Sequence, residues 1–225
     1  MRAGGVKRLL LLGLWQIERR QWKLDLIERV EARLAAPPKR IDSLAKLRAV
    51  PRRDLEYRKV SVSGRFDHGR ETLVDALTER GPGYWVLTPL LRSDGTLLVN
   101  RGFVPRDRRD PRQRMAGQSQ GEVTITGLLR LSEPDGRILR PNQLALDRWF
   151  SRDVAAIAAR RGLADAAPVF LDADSSPVRG GLPVGGLTVV RFRNTHLVYA
   201  MTWFALAGLS LWGVMLVSRS SAKRG

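Results

Sequence analysis

Two histidines, His68 and His196, and no cysteine stand among the 225 residues of this chain. Without a thiolate there is no disulfide, no zinc-thiolate or iron–sulfur ligation and no cysteine nucleophile, and two imidazoles limit the remaining metal and acid–base chemistry. Asp67 and His68 sit in the polar turn FDHGRET, which fits a solvated loop better than a metal site. No serine can be set beside either histidine, so a Ser–His–Asp arrangement is unsupported. Gly180, Gly181, Gly185 and Gly186 fall in a proline-containing loop rather than between a strand and a helix, which leaves nucleotide binding without a motif. The chain therefore reads as a protein that is not an enzyme. His196 is the exception to this blandness. It lies one residue before an uncharged run, where a membrane helix meets water, with Tyr199, Ala200 and Trp203 following at helical spacing. A neutral imidazole at that depth is able to ligate haem iron; the same position also suits an interfacial anchor or a polar cap on the helix.

The element that must position His196 is the clearest in the sequence. Leu197–Val217 holds 21 residues without a charge, about 31 Å as a helix against a hydrocarbon core of about 30 Å. It predicts a transmembrane helix over 196–218 and a basic tail over 219–225. At the other end, Leu9–Ile17 offers only nine uncharged residues between Arg8 and Glu18, too few to cross a bilayer alone. Residues 1–36 are expected to form a short N-terminal membrane anchor, uncleaved, that continues as an amphipathic helix through Trp15, Trp22, Leu26, Val30 and Leu34 until Pro37 and Pro38 stop it.

Between these ends, residues 37–195 read as short strands: Tyr57–Phe66, Trp85–Leu91, Thr96–Val104, Glu122–Leu131, Val169–Leu171 and Leu187–Phe192. Ser93, Asp94 and Gly95 mark a hairpin, and Ser151 is the expected N-cap of a helix that Gly162 stops. The polar stretch 105–121 predicts a mobile loop. The fold class is α+β, with two terminal transmembrane helices flanking a β-rich antiparallel extramembrane domain.

Lys and Arg number 39 against 22 Asp and Glu, a net charge of +17. A nucleic acid is the obvious candidate for such a chain. Yet basic and acidic residues alternate, as in Arg106, Asp107, Arg108, Arg109 and Asp110, and no aromatic-rich stacking strand accompanies them. The charge reads as a solvated face, and no nucleic-acid partner is expected.

Several segments resemble, in order, the blocks of the surfeit locus protein family, assembly factors for cytochrome c oxidase. Gly13, Trp15, Gln16, Arg19, Trp22 and Lys23 form a G-x-W-Q-x-x-R-x-x-W-K segment. Tyr57 with Val60, Val62, Gly64 and Phe66 follows, then Thr88-Pro89-Leu90, the N-R-G-F-V-P block from Asn100 to Pro105, and Gly127 with Arg130. Pro141, Asn142, Trp149 and Asp153 come next, and the N-T-H-L-V-Y-A block from Asn194 to Ala200 with Trp203 and Phe204 comes last. Phe103 stands where the family usually has Trp, which keeps an aromatic. The resemblance implies a multi-pass protein of the cell inner membrane, with its central domain periplasmic and the lipid bilayer around its helices. It further implies haem a as cofactor, accepted from the haem a synthase and delivered to the catalytic subunit of the oxidase. His196 would be the haem iron ligand, with Tyr199 and Trp203 beside it and Arg193 and Arg101 as partners of the propionates. Asn194 or a backbone carbonyl would orient the second ring nitrogen of His196. The alternative is a haem-free scaffold that stabilises an oxidase assembly intermediate.

Overall fold

A computed structural model describes residues 4–136, 140–188, 190 and 194–222, without the side chains of 217–218 and 220–222. The chain divides into two compact units, one made of its two ends, up to residue 32 and from residue 190, and one of residues 33–189.

The first unit is helical. Helix α1, Gly4–Ala35, runs unbroken for 32 residues, stopping before Pro37 and Pro38 as the sequence predicts. Helix α5, His196–Ala222, carries the uncharged run. Among the described residues only α5 is long and apolar enough to cross a membrane, over His196–Leu216. The expectation of two spanning helices is thus met at one end. At the other, a long helix forms, but its charges begin again at Glu18 and leave it without a sufficient apolar stretch. Helix α5 is no core helix: Val198, Met201, Leu209 and Trp212 are each more than 60% exposed, which in water would be an unusual apolar surface and in lipid an ordinary one.

The second unit is built on a seven-stranded sheet: β1 (Lys39–Arg40), β2 (Lys59–Phe66), β3 (Thr72–Thr78), β4 (Gly81–Arg92), β5 (Gly95–Pro105), β6 (Glu122–Leu131) and β7 (Ala166–Ala173). The order is β1-β2-β6-β7-β5-β4-β3, and β2 also pairs with β4 through Arg65 and Phe66 opposite Leu91 and Leu90. That extra pairing closes β2, β6, β7, β5 and β4 into a barrel and removes their edges. The domain is not wholly antiparallel as expected: β5 pairs with β7, and β1 with β2, in parallel. The β5–β7 pairing follows from the long crossover between them, which carries β6 and a helix, α4 (Val154–Arg161), before the chain returns. Two short helices, α2 (Leu44–Ala49) and α3 (Arg52–Leu55), lie between β1 and β2.

Successive side chains of a strand face opposite ways, and here both faces are filled. Val62, Leu90, Leu97, Val99, Leu129, Val169 and Leu171, drawn from all five barrel strands, form one core with Leu44 and Leu55. Leu98 and Phe170, one residue out of step, join Val74, Leu87, Trp149, Val154 and Ile157 in a second core against α4. This two-sided burial is why β5 reads as an almost continuous apolar run. Helix α4 is capped by Asp153, whose carboxylate accepts from Ala156 N at 3.1 Å. Ser151, the expected cap, instead donates to Glu133 O at 2.8 Å. Gly162 ends the helix in the left-handed region, as expected. Five of the six expected strands form, as β2, β4, β5, β6 and β7, and β1 and β3 add to them. The expected strand Leu187–Phe192 does not form at Leu187, Thr188 or Val190, while 189 and 191–193 lie outside the described residues.

Candidate functional site

Residues from the two ends of the chain meet in the helical unit. Gly13 of α1 lies under the ring of Phe204 of α5, so close that a Cβ there would stand 2.5 Å from a ring carbon. Three residues on, about one turn further along the same face of α1, Gln16 reaches His196: Nδ1 of the imidazole and Oε1 of Gln16 are 2.7 Å apart across 180 residues of sequence. An amide oxygen only accepts, so Nδ1 carries a proton and donates; in a neutral ring this is the tautomer that leaves the lone pair on Nε2. Asn194, the expected orienting acceptor, has another duty. Its side-chain oxygen takes the backbone N–H of His196 at 3.4 Å, at the start of α5 where helical N–H groups lack partners. Ala200 and Ala207, one and nearly three turns beyond His196, are buried, and small residues there let helices approach closely.

The other expected site residues separate. Trp203 is half-buried on α5, while Tyr199 is more than half exposed and its hydroxyl has no partner among the described residues. Arg193 lies outside the described residues. Arg101 lies inside the β-rich unit, 5% exposed. There its guanidinium donates to Gly117 O and to His68 Nδ1, the latter at 3.4 Å, and stacks over Phe66 at 5.0 Å. Burial lowers it to about 10, against the pull of Glu71 and with the push of Arg114.

His68 is not in a solvated loop. Its Nε2–H donates to Ser119 O at 2.9 Å, which leaves Nδ1 to accept from Arg101. Burial lowers the imidazole below its ordinary value, and Arg101 adds to this, though the Ser119 carbonyl, Glu71 and Asp67 pull the other way. The same contacts order the segment expected to be mobile: residues 106–108 and 111–117 form 3-10 turns, and Arg114 makes a bidentate pair with Glu71 in which both side chains are more than 90% buried. Local hydropathy could not show this, because both partners of that pair are charged residues in polar stretches.

A second polar cluster ties together residues from several of the ordered sequence blocks. The Asp172 carboxylate, in β7, accepts from Asn100 at 2.8 Å, Thr188 at 2.9 Å, and Arg130 and Arg152 each at 3.3 Å. Asn100 in turn accepts the N–H of Gly102 at 3.2 Å. Gly102 takes φ +129°, and a Cβ there would meet Val184 O at 2.1 Å, so only glycine fits the crossing where Phe103 and Val184 exchange backbone hydrogen bonds. Through Asn100, Arg130 and Asp172 the cluster links β5, β6 and β7 of the barrel.

A family model described as the SURF1 family matches residues 7–208 of the chain. Surfeit locus protein 1 of Rattus norvegicus is 39% identical over 230 residues, covering 93% of this chain and 72% of the rat protein. The human protein of the same name is 39% identical over 223 residues, with 89% and 71% covered. A SURF1-like protein of Drosophila melanogaster is 36% identical over 231 residues, with 92% and 74% covered.

Proposed function

The chain belongs to the SURF1 family, and from that premise we propose that it is a membrane-bound, non-catalytic assembly factor for cytochrome c oxidase that holds haem a at His196 and hands it to the catalytic subunit of the oxidase. The observation that carries this reading is the contact between Gln16 and Nδ1 of His196. A ligating histidine needs one ring nitrogen free and the other held by an acceptor that fixes tautomer and plane. Gln16 meets the second requirement and leaves Nε2 for iron.

Haem, when bound, would supply an iron able to take an imidazole ligand and a mostly apolar macrocycle edged by two carboxylates. The chain supplies the rest. Trp203, two turns along α5, offers an apolar plane on the helix that carries the ligand, and Tyr199 a phenol at the water-facing end. Arg193, three residues before His196, is the nearest cation in sequence for a propionate. Arg101 keeps its place under Gly117 and positions the 105–121 segment. In this reading α5 spans the inner membrane, α1 inserts beside it through Gly13 and Gln16, both termini are cytoplasmic and the β-rich unit is periplasmic. Delivery from the haem a synthase to the oxidase needs no bond made or broken in the porphyrin, so no acid–base machinery is called for.

The test is the visible spectrum of the full chain purified from membranes that make haem a. His196→Ala loses the haem while the protein remains membrane-integral, and Gln16→Leu weakens haem retention about 10- to 100-fold, the usual effect of removing a partner behind a metal ligand. His68→Ala keeps the spectrum. A full haem complement in His196→Ala overturns the ligand assignment and leaves a haem-free scaffold. An alkaline phosphatase fusion at Gln118 is active if the β-rich unit is periplasmic; inactivity there with activity after Gly225 overturns the orientation.

A further inference from the structure

At the point where α1 ends and the β-rich unit begins, the chain folds around a cleft of about 690 Å³, within the range of about 300–1,000 Å³ usual for small-molecule sites. It lies wholly inside the 33–189 unit, and its composition is lopsided. Its floor is apolar: Ile41, Leu55, Val60 and Leu129 are buried side chains of the barrel core, and Leu47 and Val50 of the α2 segment pack onto them. Its rim carries six cations, Arg33, Lys39, Arg40, Lys46, Arg58 and Lys59, and a single carboxylate, Asp42. Arg33 is engaged by Asp54 at 3.5 Å and by the carbonyls of Arg53 and Glu56, and Arg40 approaches Asp42 at 3.9 Å. Among the described residues no carboxylate comes within 4.0 Å of Lys39, Lys46, Arg58 or Lys59.

Four arginines of this unit are held by carboxylates, Arg92 by Asp94, Arg114 by Glu71, Arg152 by Glu133 and Arg161 by Asp147, while buried Arg101 is held by a carbonyl, an imidazole and an aromatic ring. What sets the cleft apart is that four cations without a carboxylate within 4.0 Å gather around one apolar floor, where like charges repel one another. A ligand that relieves this must be an anion, and one that uses the floor must also carry an apolar chain. A small dianion would leave the floor wet. An added peptide strand is disfavoured by the edge itself: β1 is two residues long and both are charged, the device by which sheet edges refuse a further strand.

We propose that this cleft binds an anionic phospholipid, its phosphate among Lys39, Lys46, Arg58 and Lys59 and one acyl chain on the floor formed by Ile41, Leu47, Val50, Leu55, Val60 and Leu129. The proposal is independent of haem at His196. A chain that carries a helix fit to cross a bilayer is surrounded by such lipids, and the cleft is built directly on the residues that follow α1.

The experiment is native mass spectrometry of the full chain released from a neutral detergent micelle, with dioleoylphosphatidylglycerol and dioleoylphosphatidylcholine present at equal concentration. The anionic lipid is retained about tenfold over the zwitterionic one, and Lys39→Glu with Lys46→Glu removes that preference, each cation being worth roughly fivefold. Both side chains are exposed and unpaired, so the double variant keeps the melting temperature of the parent. sn-Glycerol 3-phosphate at a hundredfold excess does not displace the lipid. Equal retention of the two lipids, or an unchanged preference in the double variant, overturns the proposal. Displacement by the glycerol phosphate would make this a bare phosphate site, and displacement by polyglutamate a site for an acidic polypeptide; either overturns the lipid assignment.

Discussion

Replacing Asp172 by Asn tests whether the polar cluster of the β-rich unit is what holds its strands in register. The side chain is 1% exposed and accepts hydrogen bonds from four side chains, two of them guanidinium groups that are themselves only 15% and 16% exposed. An amide keeps the shape, so no cavity opens, but it removes the one charge that Arg130 and Arg152 share. Leaving a buried charge without its partner costs about 3–5 kcal/mol. Arg152 retains Glu133 and Arg130 approaches Glu56 at 3.9 Å, so the lower end, about 3 kcal/mol, is the expected value. At about 2–4 °C per kcal/mol for a unit of this size, the melting temperature falls by about 6–12 °C. The assay is intrinsic tryptophan fluorescence of the full detergent-solubilised chain during heating, with Trp149 in the second core as reporter. The control is Asp54→Asn, which breaks an ion pair 25% and 39% exposed and is expected to cost no more than about 1 kcal/mol. If Asp172→Asn melts within 2 °C, roughly 1 kcal/mol, of Asp54→Asn, the cluster is not a keystone and the argument from burial fails.

Gly13→Val sets a Cβ 2.5 Å from the ring of Phe204 and parts α1 from α5; Phe204→Ala in the same chain restores the contact. The reading is crosslinking efficiency between Gln16→Cys and His196→Cys, clean because the chain has no cysteine of its own, and an undiminished yield in Gly13→Val refutes the packing. His68 makes the β-rich unit acid-sensitive. Burial holds its folded value below that of the unfolded chain, so its contribution is fully present above about 6.5 and is lost as pH falls further. Proteolysis within Arg106–Arg112 therefore rises between pH 7 and 5 in the parent and rises less in His68→Gln; equal slopes refute it.

What the sequence discloses follows period and charge. Strand β5 is legible because burial on both faces demands a nearly continuous apolar run, helix α5 because its long run carries no charge, and α4 because Gly162 stops it, although its cap is Asp153 and not the expected Ser151. Strand β3 is harder to see, since Asp75 and Ala76 interrupt a run that the hairpin with β4 nevertheless recruits. The parallel pairings are invisible locally, because β5 and β7 become neighbours only through a crossover of some sixty residues. The order of the 105–121 segment likewise rests on distant partners, Glu71 for Arg114 and His68 for Ser119. Gln16 belongs to the G-x-W-Q segment of α1, yet nothing in its own helix announces His196; only the pairing of α1 with α5 supplies the contact.

That pairing can be apportioned by magnitude. In the membrane arrangement proposed above, hydrogen bonds between helices average about 0.6 kcal/mol and reach at most about 1.7, so there the Gln16–His196 bond would do little to hold α1 against α5. The close approach of Gly13 to Phe204, with Ala200 and Ala207 buried on the same helix, brings many atoms into contact at once, and in lipid such packing is the main attraction available. Packing therefore sets the helices together and the polar pair inherits its geometry. The consequence for Gln16 is specific. A residue that contributes so little to association, yet presents an acceptor 2.7 Å from one nitrogen of the only imidazole on α5, is placed to choose a tautomer. Gln16→Leu should leave the helices crosslinked and the β-rich unit folded while changing what Nε2 of His196 can bind, which separates a positioning residue from a structural one.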